Sequence, residues 1–323
     1  MRRREFITLA CGAAAAWPLA ARAQQSGMPV VGVLIIYDAW IPHLRATFVQ
    51  GLAESGYTEG KNVAIESRFA NFKPELLPEA ARDLVRLNVD AIFAFPEAIV
   101  PARNATSSIP IVAVDLESDP VAKGYVKSLA RPGGNMTGMF LDLPEVSGKQ
   151  VGLLKEIVPR LSRIAIFGIP GLNEAQFAAT ETAARALALK AEIIEVRSPD
   201  DFEGALEAAT TKHVEAGILL SSPFVFASSK QISQIALAKR LPLISLFAEF
   251  PRSGGLIAYG PNVGEIFRRC GDYVGKILHG AKPSELPIQR PEKFDLVINL
   301  KTAAALDVTA PPVLLATADE VIE

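Results

Sequence analysis

The chain has 323 residues, half of them apolar and 7% aromatic, with a formal net charge of −2. This is a globular composition, and past residue 23 no apolar run reaches the ~20 residues of helix that cross a bilayer. The charge balance excludes the positive footprint that nucleic acid or anionic lipid requires of a partner.

The first segment reads as an address. Met1-Arg2-Arg3-Arg4-Glu5-Phe6-Ile7 opens the chain, an alanine-rich apolar run follows to Ala20, and Ala21-Arg22-Ala23 ends it. A basic n-region, a short apolar h-region and an A-x-A site stand in the order of a secretory signal peptide. Arg3-Arg4 followed by x-Phe-Ile is the twin-arginine variant, which exports folded proteins. The expected destination is the bacterial periplasm. Cleavage after Ala23 leaves 29 basic and 34 acidic residues, a net charge of about −5, with Cys270 as the remaining cysteine. A single cysteine cannot form an internal disulfide, and Cys270 falls in a helical pattern as a small apolar residue.

After the leader, β-branched runs alternate with amphipathic stretches. Val30 to Ile36 is apolar on both faces, as a buried parallel strand must be. Leu44, Phe48 and Leu52 recur at helical spacing. Strands are expected at Val63–Phe69, Ala91–Phe95 and Ile111–Val114, with helices at Leu76–Leu87 and Pro101–Ser108. Met136–Leu141 reads as extended, and then the pattern restarts. Strands at Ile164–Phe167, Ala191–Val196, Gly217–Leu220, Leu243–Leu246 and Leu256–Tyr259 alternate with helices at Val146–Val158, Ala175–Leu189, after Pro199 and at Ser228–Lys239. A helix at Val263–Leu278, a strand at Phe294–Leu300 and a short helix at Lys301–Leu306 complete the chain. Alternation of this kind gives βαβ units, so the expected class is α/β: two Rossmann-like lobes with parallel sheets. Lobe one is expected to span 28–141 plus 261–282, and lobe two 142–260 plus 283–323.

No catalytic signature stands out. Gly32 has no second glycine until Gly51, Ser147-Gly148-Lys149-Gln150 is not a P-loop, and no G-x-S-x-G is present. His43, His213 and His279 lie on separate segments without metal-ligand spacing, so neither a metal nor a cofactor is expected. An exported two-lobed α/β chain without a catalytic constellation points to binding.

Several segments, in order, resemble the ABC transporter substrate-binding proteins of the tryptophan/tyrosine type. They include Gly51-Leu52-Ala53-Glu54-Ser55-Gly56-Tyr57-Thr58-Glu59-Gly60-Lys61-Asn62-Val63 and Ser108-Ile109-Pro110-Ile111-Val112. Others are Asp119-Pro120-Val121, Ser128 to Gly138, Glu249-Phe250, Gly254-Gly255-Leu256, Tyr259-Gly260-Pro261-Asn262 and Lys293 to Thr302. The resemblance implies a type I periplasmic-binding fold with three crossovers, hinge closure over a small-molecule ligand and delivery to an inner-membrane ABC permease. It departs where ligand contacts are expected, with Phe95-Pro96-Glu97 after the third strand, Asp115-Leu116-Glu117 after the fourth and Gly168-Ile169-Pro170-Gly171 in lobe two. The crossovers are expected near Leu141, Gly260 and Lys282.

Open α/β sheets bind ligands at the carboxyl ends of their strands. The ligand-binding candidates are therefore Tyr37, Asp38, Trp40, Phe95, Glu97, Asp115 and Glu117 in lobe one. Asn173, Ser222, Phe247 and Glu249 are those of lobe two. Asp38 reads equally as a helix cap, and Glu249 as a partner of Arg252. Together these loops are acidic, which favours a ligand with a positive charge beside an apolar or aromatic body. Neutral amides at Glu97 or Asp115 are expected to weaken binding and leave the empty protein's Tm unchanged. The expected protein is a monomeric solute-binding component without catalysis. An exported enzyme using paired carboxylates and a ligand-sensing receptor module are the rival readings. Cleavage is expected between Ala23 and Gln24, and replacing Arg3 and Arg4 by Lys should hold the precursor in the cytoplasm. Exported protein whose N-terminal sequence begins at Met1 contradicts the assignment.

Overall fold

The computed structural model describes residues 27–115 and 119–323. The leader and Glu117 lie outside the described residues. The first sheet holds β1 (Val30–Ile35), β2 (Ala64–Phe69), β3 (Ala91–Ala94), β4 (Ile111–Asp115) and β5 (Met136–Phe140). Its order is β2-β1-β3-β4-β5, parallel throughout. Val31, Val33, Leu34 and Ile35 are all fully buried, so β1 is covered on both faces. That is what a run without polar alternation requires. The covering helices are α1 (Pro42–Glu54), α2 (Leu77–Arg86) and α3 (Ile99–Ala105). The third begins two residues earlier than its sequence pattern suggested, because a 3-10 turn at Pro96–Ala98 runs straight into it.

The second sheet has β6 (Arg163–Gly168), β7 (Lys190–Glu195), β8 (Ala216–Leu219), β9 (Leu243–Ser245), β10 (Ile257–Pro261), β11 (Phe294–Asn299) and β12 (Glu320–Ile322). Its order is β12-β11-β10-β9-β8-β6-β7. All pairs are parallel except β10–β11, where Ile257 faces Ile298 and Pro261 faces Phe294. The expectation of purely parallel sheets gives way there because the chain leaves this sheet at Pro261 and re-enters from the same end. Around it pack α4 (Leu143–Ile157), α5 (Glu174–Ala186), α6 (Asp201–Thr211), α7 (Pro223–Ala227), α8 (Ser229–Ala238) and α9 (Glu249–Arg252). Helix α10 (Val263–Leu278) lies between β10 and β11 in sequence, and α11 (Leu300–Ala305) and α12 (Pro312–Thr317) close the chain. The short α7, α9, α12 and β12 were not legible as separate elements.

Helix α10 packs on the first sheet's side, against α1 and strands β3 to β5. Glycine makes this possible. A Cβ on Gly51 of α1 would lie 1.8 Å from the Arg268 carbonyl oxygen, and one on Gly271 of α10 would lie 2.1 Å from that of Phe48. The two backbones therefore touch where no side chain fits. Asn262 caps α10 by accepting a hydrogen bond from the Glu265 backbone N–H. Cys270, on the inner face of α10, is 1% exposed and packs as an apolar residue, with burial pushing its thiol up.

The chain crosses between the sheets three times. The first crossing follows β5 at Leu141–Asp142, where Asp142 adopts the left-handed conformation at φ 48°. The second is at Pro261–Asn262. The third comes later than Lys282, because residues 284–289 still run beside β5. The Gln289 N–H donates to the Gly138 carbonyl (3.1 Å), and the Phe140 N–H donates to the Gln289 carbonyl (2.9 Å). The Thr137 hydroxyl also donates to the Leu286 carbonyl at 2.8 Å. The crossings brace one another. Asp142 pairs with Arg290 at 3.1 Å, and the Asn262 side chain donates to Asp295 at 2.7 Å.

Two glycine substitutions test the α1–α10 packing. Gly51→Ala is expected to destabilise the protein by about 3 kcal/mol, the upper range for overpacking, because the methyl meets backbone. Gly152→Ala on α4, where a Cβ meets nothing within 4 Å, should stabilise it by about 1 kcal/mol through helix propensity. Urea unfolding of the two variants measures the difference, and equal effects would contradict the close approach.

Candidate functional site

The carboxyl ends of β1, β3 and β4 face those of β8 and β9, and one cavity lies between them. The first side contributes Tyr37 after β1, Phe95, Pro96 and Glu97 after β3, and Val114 on β4. The second contributes Ser222, Pro223 and Phe226 after β8 and Phe247 after β9. Ile41 and Leu44 at the start of α1, and Val263 and Phe267 at the start of α10, close the lining. The remaining space is about 20 Å³, room for about one water. The lobes thus meet with their aromatic walls in contact. One buried apolar cluster runs from Val31, Phe93 and Phe95 in the first lobe to Phe167 and Phe247 in the second.

Rings dominate this wall. Phe95 meets Phe267 at 5.2 Å between centroids and Tyr37 at 6.0 Å, both edge to face. Phe226 meets Phe247 at 4.9 Å in the same way. Such edge-to-face contacts set ring orientations beyond simple burial. Phe72, in the left-handed region at φ 58°, packs on Tyr37 at 5.5 Å and reaches across to Phe224 at 6.2 Å.

Into this apolar wall the 3-10 turn at Pro96–Ala98 brings one charge. Both carboxylate oxygens of Glu97 are shielded from solvent, and neither meets a hydrogen-bond partner. Burial pushes its carboxyl up to about 7, with its own backbone N–H, nearby but outside hydrogen-bond geometry, offsetting part of that effect. No lysine, arginine or histidine lines the cavity among the described residues, and Leu116-Glu117-Ser118 adds no cation in sequence. A buried carboxylate in this setting takes up either a proton or an incoming cation.

The structure thus gathers Tyr37, Phe95, Glu97, Ser222 and Phe247 on one surface. Among the described side chains, Asp38, Trp40, Asn173 and Glu249 stand elsewhere. Asp38 is exposed and off the lining, and it does not cap α1, whose N-cap is Ile41. Trp40 turns inward, with its indole 6.4 Å from Phe93 and its Nε1 donating to the Ser67 hydroxyl at 2.8 Å. It backs Phe95 at 6.0 Å rather than facing the cavity. Asn173 is fully buried behind the wall, accepting from the Ile169 N–H and donating to the Ser221 carbonyl, both at 2.8 Å. Glu249 lines a separate polar chamber of about 130 Å³, where it meets His43 at 3.1 Å. Arg252, its expected partner, pairs with Glu320 at 2.6 Å instead. Asp115 ends β4, in register with Phe140. Ser222 lines the cavity while its hydroxyl caps α7, accepting from the Val225 N–H at 3.1 Å.

Among the lining residues that sequence reasoning missed are Ile41, Leu44, Phe226, Val263 and Phe267. Leu44 was read only as a residue at helical spacing, and Val263 and Phe267 fell within a helix to which no face was assigned. Their membership follows from α10 crossing back to the first lobe.

The unpaired carboxylate corrects one expectation, that an amide at Glu97 leaves the empty protein's stability unchanged. A raised folded-state value means stability fully present below the unfolded value of about 4.5 and lost as pH rises through about 7. The parent should therefore lose about 3 kcal/mol across that window. Glu97→Gln should lack this loss. Urea unfolding at pH 5 and pH 8 checks it, and the same pH dependence in both proteins would contradict the burial argument.

Comparison with known proteins agrees with this architecture. The sequence model of the family described as ABC transporter substrate binding protein matches residues 31–322. The chain is similar to a tyrosine-binding protein of Clostridioides difficile, at 24% identity over 80% of this chain and 75% of that one. It is similar to the crystal structure of a conserved domain protein from Vibrio cholerae, with a TM-score of 0.81 and 28% identity over 91% of this chain and all of that one. A Streptococcus pneumoniae ABC domain in complex with L-Trp superposes with a TM-score of 0.82 at 23% identity, over 92% of this chain and all of that one. The fold is the type I periplasmic-binding fold, two α/β lobes joined by three crossings, and the chain belongs to the ABC transporter substrate-binding protein family.

Proposed function

We propose that this chain is the periplasmic solute-binding component of an ABC importer. It takes a small amine-bearing molecule with an apolar or aromatic body into the interlobe cleft and hands it to an inner-membrane permease, without transforming it. The observation that carries this reading is Glu97, a carboxylate buried without a partner among aromatic rings. A cationic amine supplies the missing counter-charge, and the rings receive its body. The names of the C. difficile and S. pneumoniae relatives, with tyrosine and L-Trp, fit a ligand of that general shape. Membership of this family supports a permease partner and an extracytoplasmic site. Among the described residues no helix is long and apolar enough to cross a membrane. The leader up to Ala23 is the proposed export signal, and the working form is a monomer.

In this reading the lobes turn about the three crossings, at Leu141–Asp142, Pro261–Asn262 and the stretch after Gln289. A cavity with room for about one water cannot admit an amine-bearing ligand until the lobes part. Contacts that span the cleft then hold the closed form: His43 to Glu249 and Phe72 to Phe224. Trp40 packs edge to face behind Phe95, so its fluorescence follows closure through that ring.

The test is to identify the copurifying small molecule by mass spectrometry and to titrate it back into stripped protein. The expected compound is an amine. Glu97→Gln should weaken its binding by about 1.5–3 kcal/mol, the usual loss for a hydrogen bond to a charged group. Binding should also weaken as pH falls through about 7, where Glu97 takes up a proton in the empty site. A copurifying compound without a positively charged nitrogen, or one that the amide variant binds as tightly as the parent, contradicts the reading.

A further inference from the structure

The lining of the cleft carries more information than the sign of the ligand's charge. Five of its residues are aromatic: Tyr37, Phe95, Phe226, Phe247 and Phe267. Among the buried side-chain atoms of the described residues, the Glu97 carboxylate is the one acceptor without a hydrogen-bond partner. The Ser222 hydroxyl already accepts the Val225 N–H. No cationic side chain lines the cavity among the described residues.

A primary ammonium brings three N–H groups, each of which loses water on closure and needs an acceptor in return. Each N–H left unmatched by an acceptor costs the desolvation of a charged donor. Replacing N–H by N–CH₃ removes that demand, keeps the positive charge and adds apolar surface suited to ring faces. Aromatic walls around one carboxylate are the surroundings in which alkylated ammonium groups are held by cation–π attraction. Resting on the reading of the cleft as a cation site, we propose that its ligand carries an alkylated ammonium, tertiary or quaternary, as its charged head. Glu97 then supplies the counter-charge, and Phe95 and Tyr37 on one lobe and Phe226 and Phe247 on the other close over the N-alkyl groups. The single N–H of a tertiary amine would go to Glu97.

The experiment is a calorimetric titration of the full mature chain, stripped of bound ligand, with phenethylamine bearing zero, one, two or three N-methyl groups. The aromatic body is constant and only the head changes. Affinity is expected to rise along the series, with the trimethyl form at least about tenfold tighter than the primary amine. Glu97→Gln should weaken the binding of every charged member of the series, while its pH-independent stability shows that the variant folds. The neutral isostere, with carbon in place of the quaternary nitrogen, should bind the parent and Glu97→Gln alike and more weakly than the cation binds the parent. A primary amine that binds as tightly as its methylated forms overturns the proposal, as does a series in which no member binds. A copurifying primary amine would also overturn it and leave the cation site standing, whereas a compound without a positively charged nitrogen would remove both.

Discussion

A carboxylate that has lost its water needs a proton or a positive charge, and the geometry around Glu97 provides neither from the protein's described residues. The turn that holds it is short and rigid: Pro96 starts it, β3 leads into it and α3 continues from it. Around it stand Phe95, Phe226, Phe247 and Phe267, whose rings cannot hydrogen-bond a carboxylate. The arrangement is unfavourable for the empty, ionised protein, so the deficit is a reservoir that a cationic ligand can draw on. Everything else in the site follows from where that charge sits. The sheets place strand ends opposite one another, the rings exclude solvent, and the lobe contact decides when exclusion occurs.

Closure is therefore the second half of the account. With the lobes together the cleft has room for about one water, so ligand exchange and lobe motion are one process. Among the described residues, contacts across the gap include the partly exposed pair of His43 with Glu249 and the ring contact of Phe72 with Phe224. An exposed ion pair of this kind contributes little. The closed form thus depends mainly on apolar contact, which a ligand body fitted to the rings would extend. At the far side the crossings are tied by Asp142 with Arg290 and Asn262 with Asp295. Those ties leave the few backbone torsions between them to absorb a rotation.

Much of the fold was legible in the chain. Runs such as Val30 to Ile35 are apolar on both faces and have no other use than a buried parallel strand, and α10 was bounded correctly by Asn262 and Leu278. The short elements were not: α7 and α9 are single turns whose periodicity is too brief to separate from a loop. The third crossing was misplaced because residues 284–289 stay tied to β5 and the loop before it, mostly through backbone hydrogen bonds, which carry no side-chain pattern. In the site, Tyr37, Phe95, Glu97 and Phe247 were found because residues just past strand ends face the cleft. The same rule put Trp40 and Asn173 there too. It fails where a side chain finds a better partner behind the wall, as the indole does at Ser67 and Asn173 does at Ser221. Nothing in the sequence distinguishes a strand-end residue that faces the cleft from one that turns away.

The ionisation state of Glu97 itself tests the central claim most directly. Carbon-13 NMR titration of its side-chain carboxyl can be run on the empty protein and on the complex with the copurified ligand. A midpoint of about 7 in the empty protein, moved well below the ordinary carboxylate value by the ligand, is the predicted result. A midpoint near 4.5 in the empty protein, or one that the ligand leaves in place, would contradict a buried carboxylate waiting for a cation.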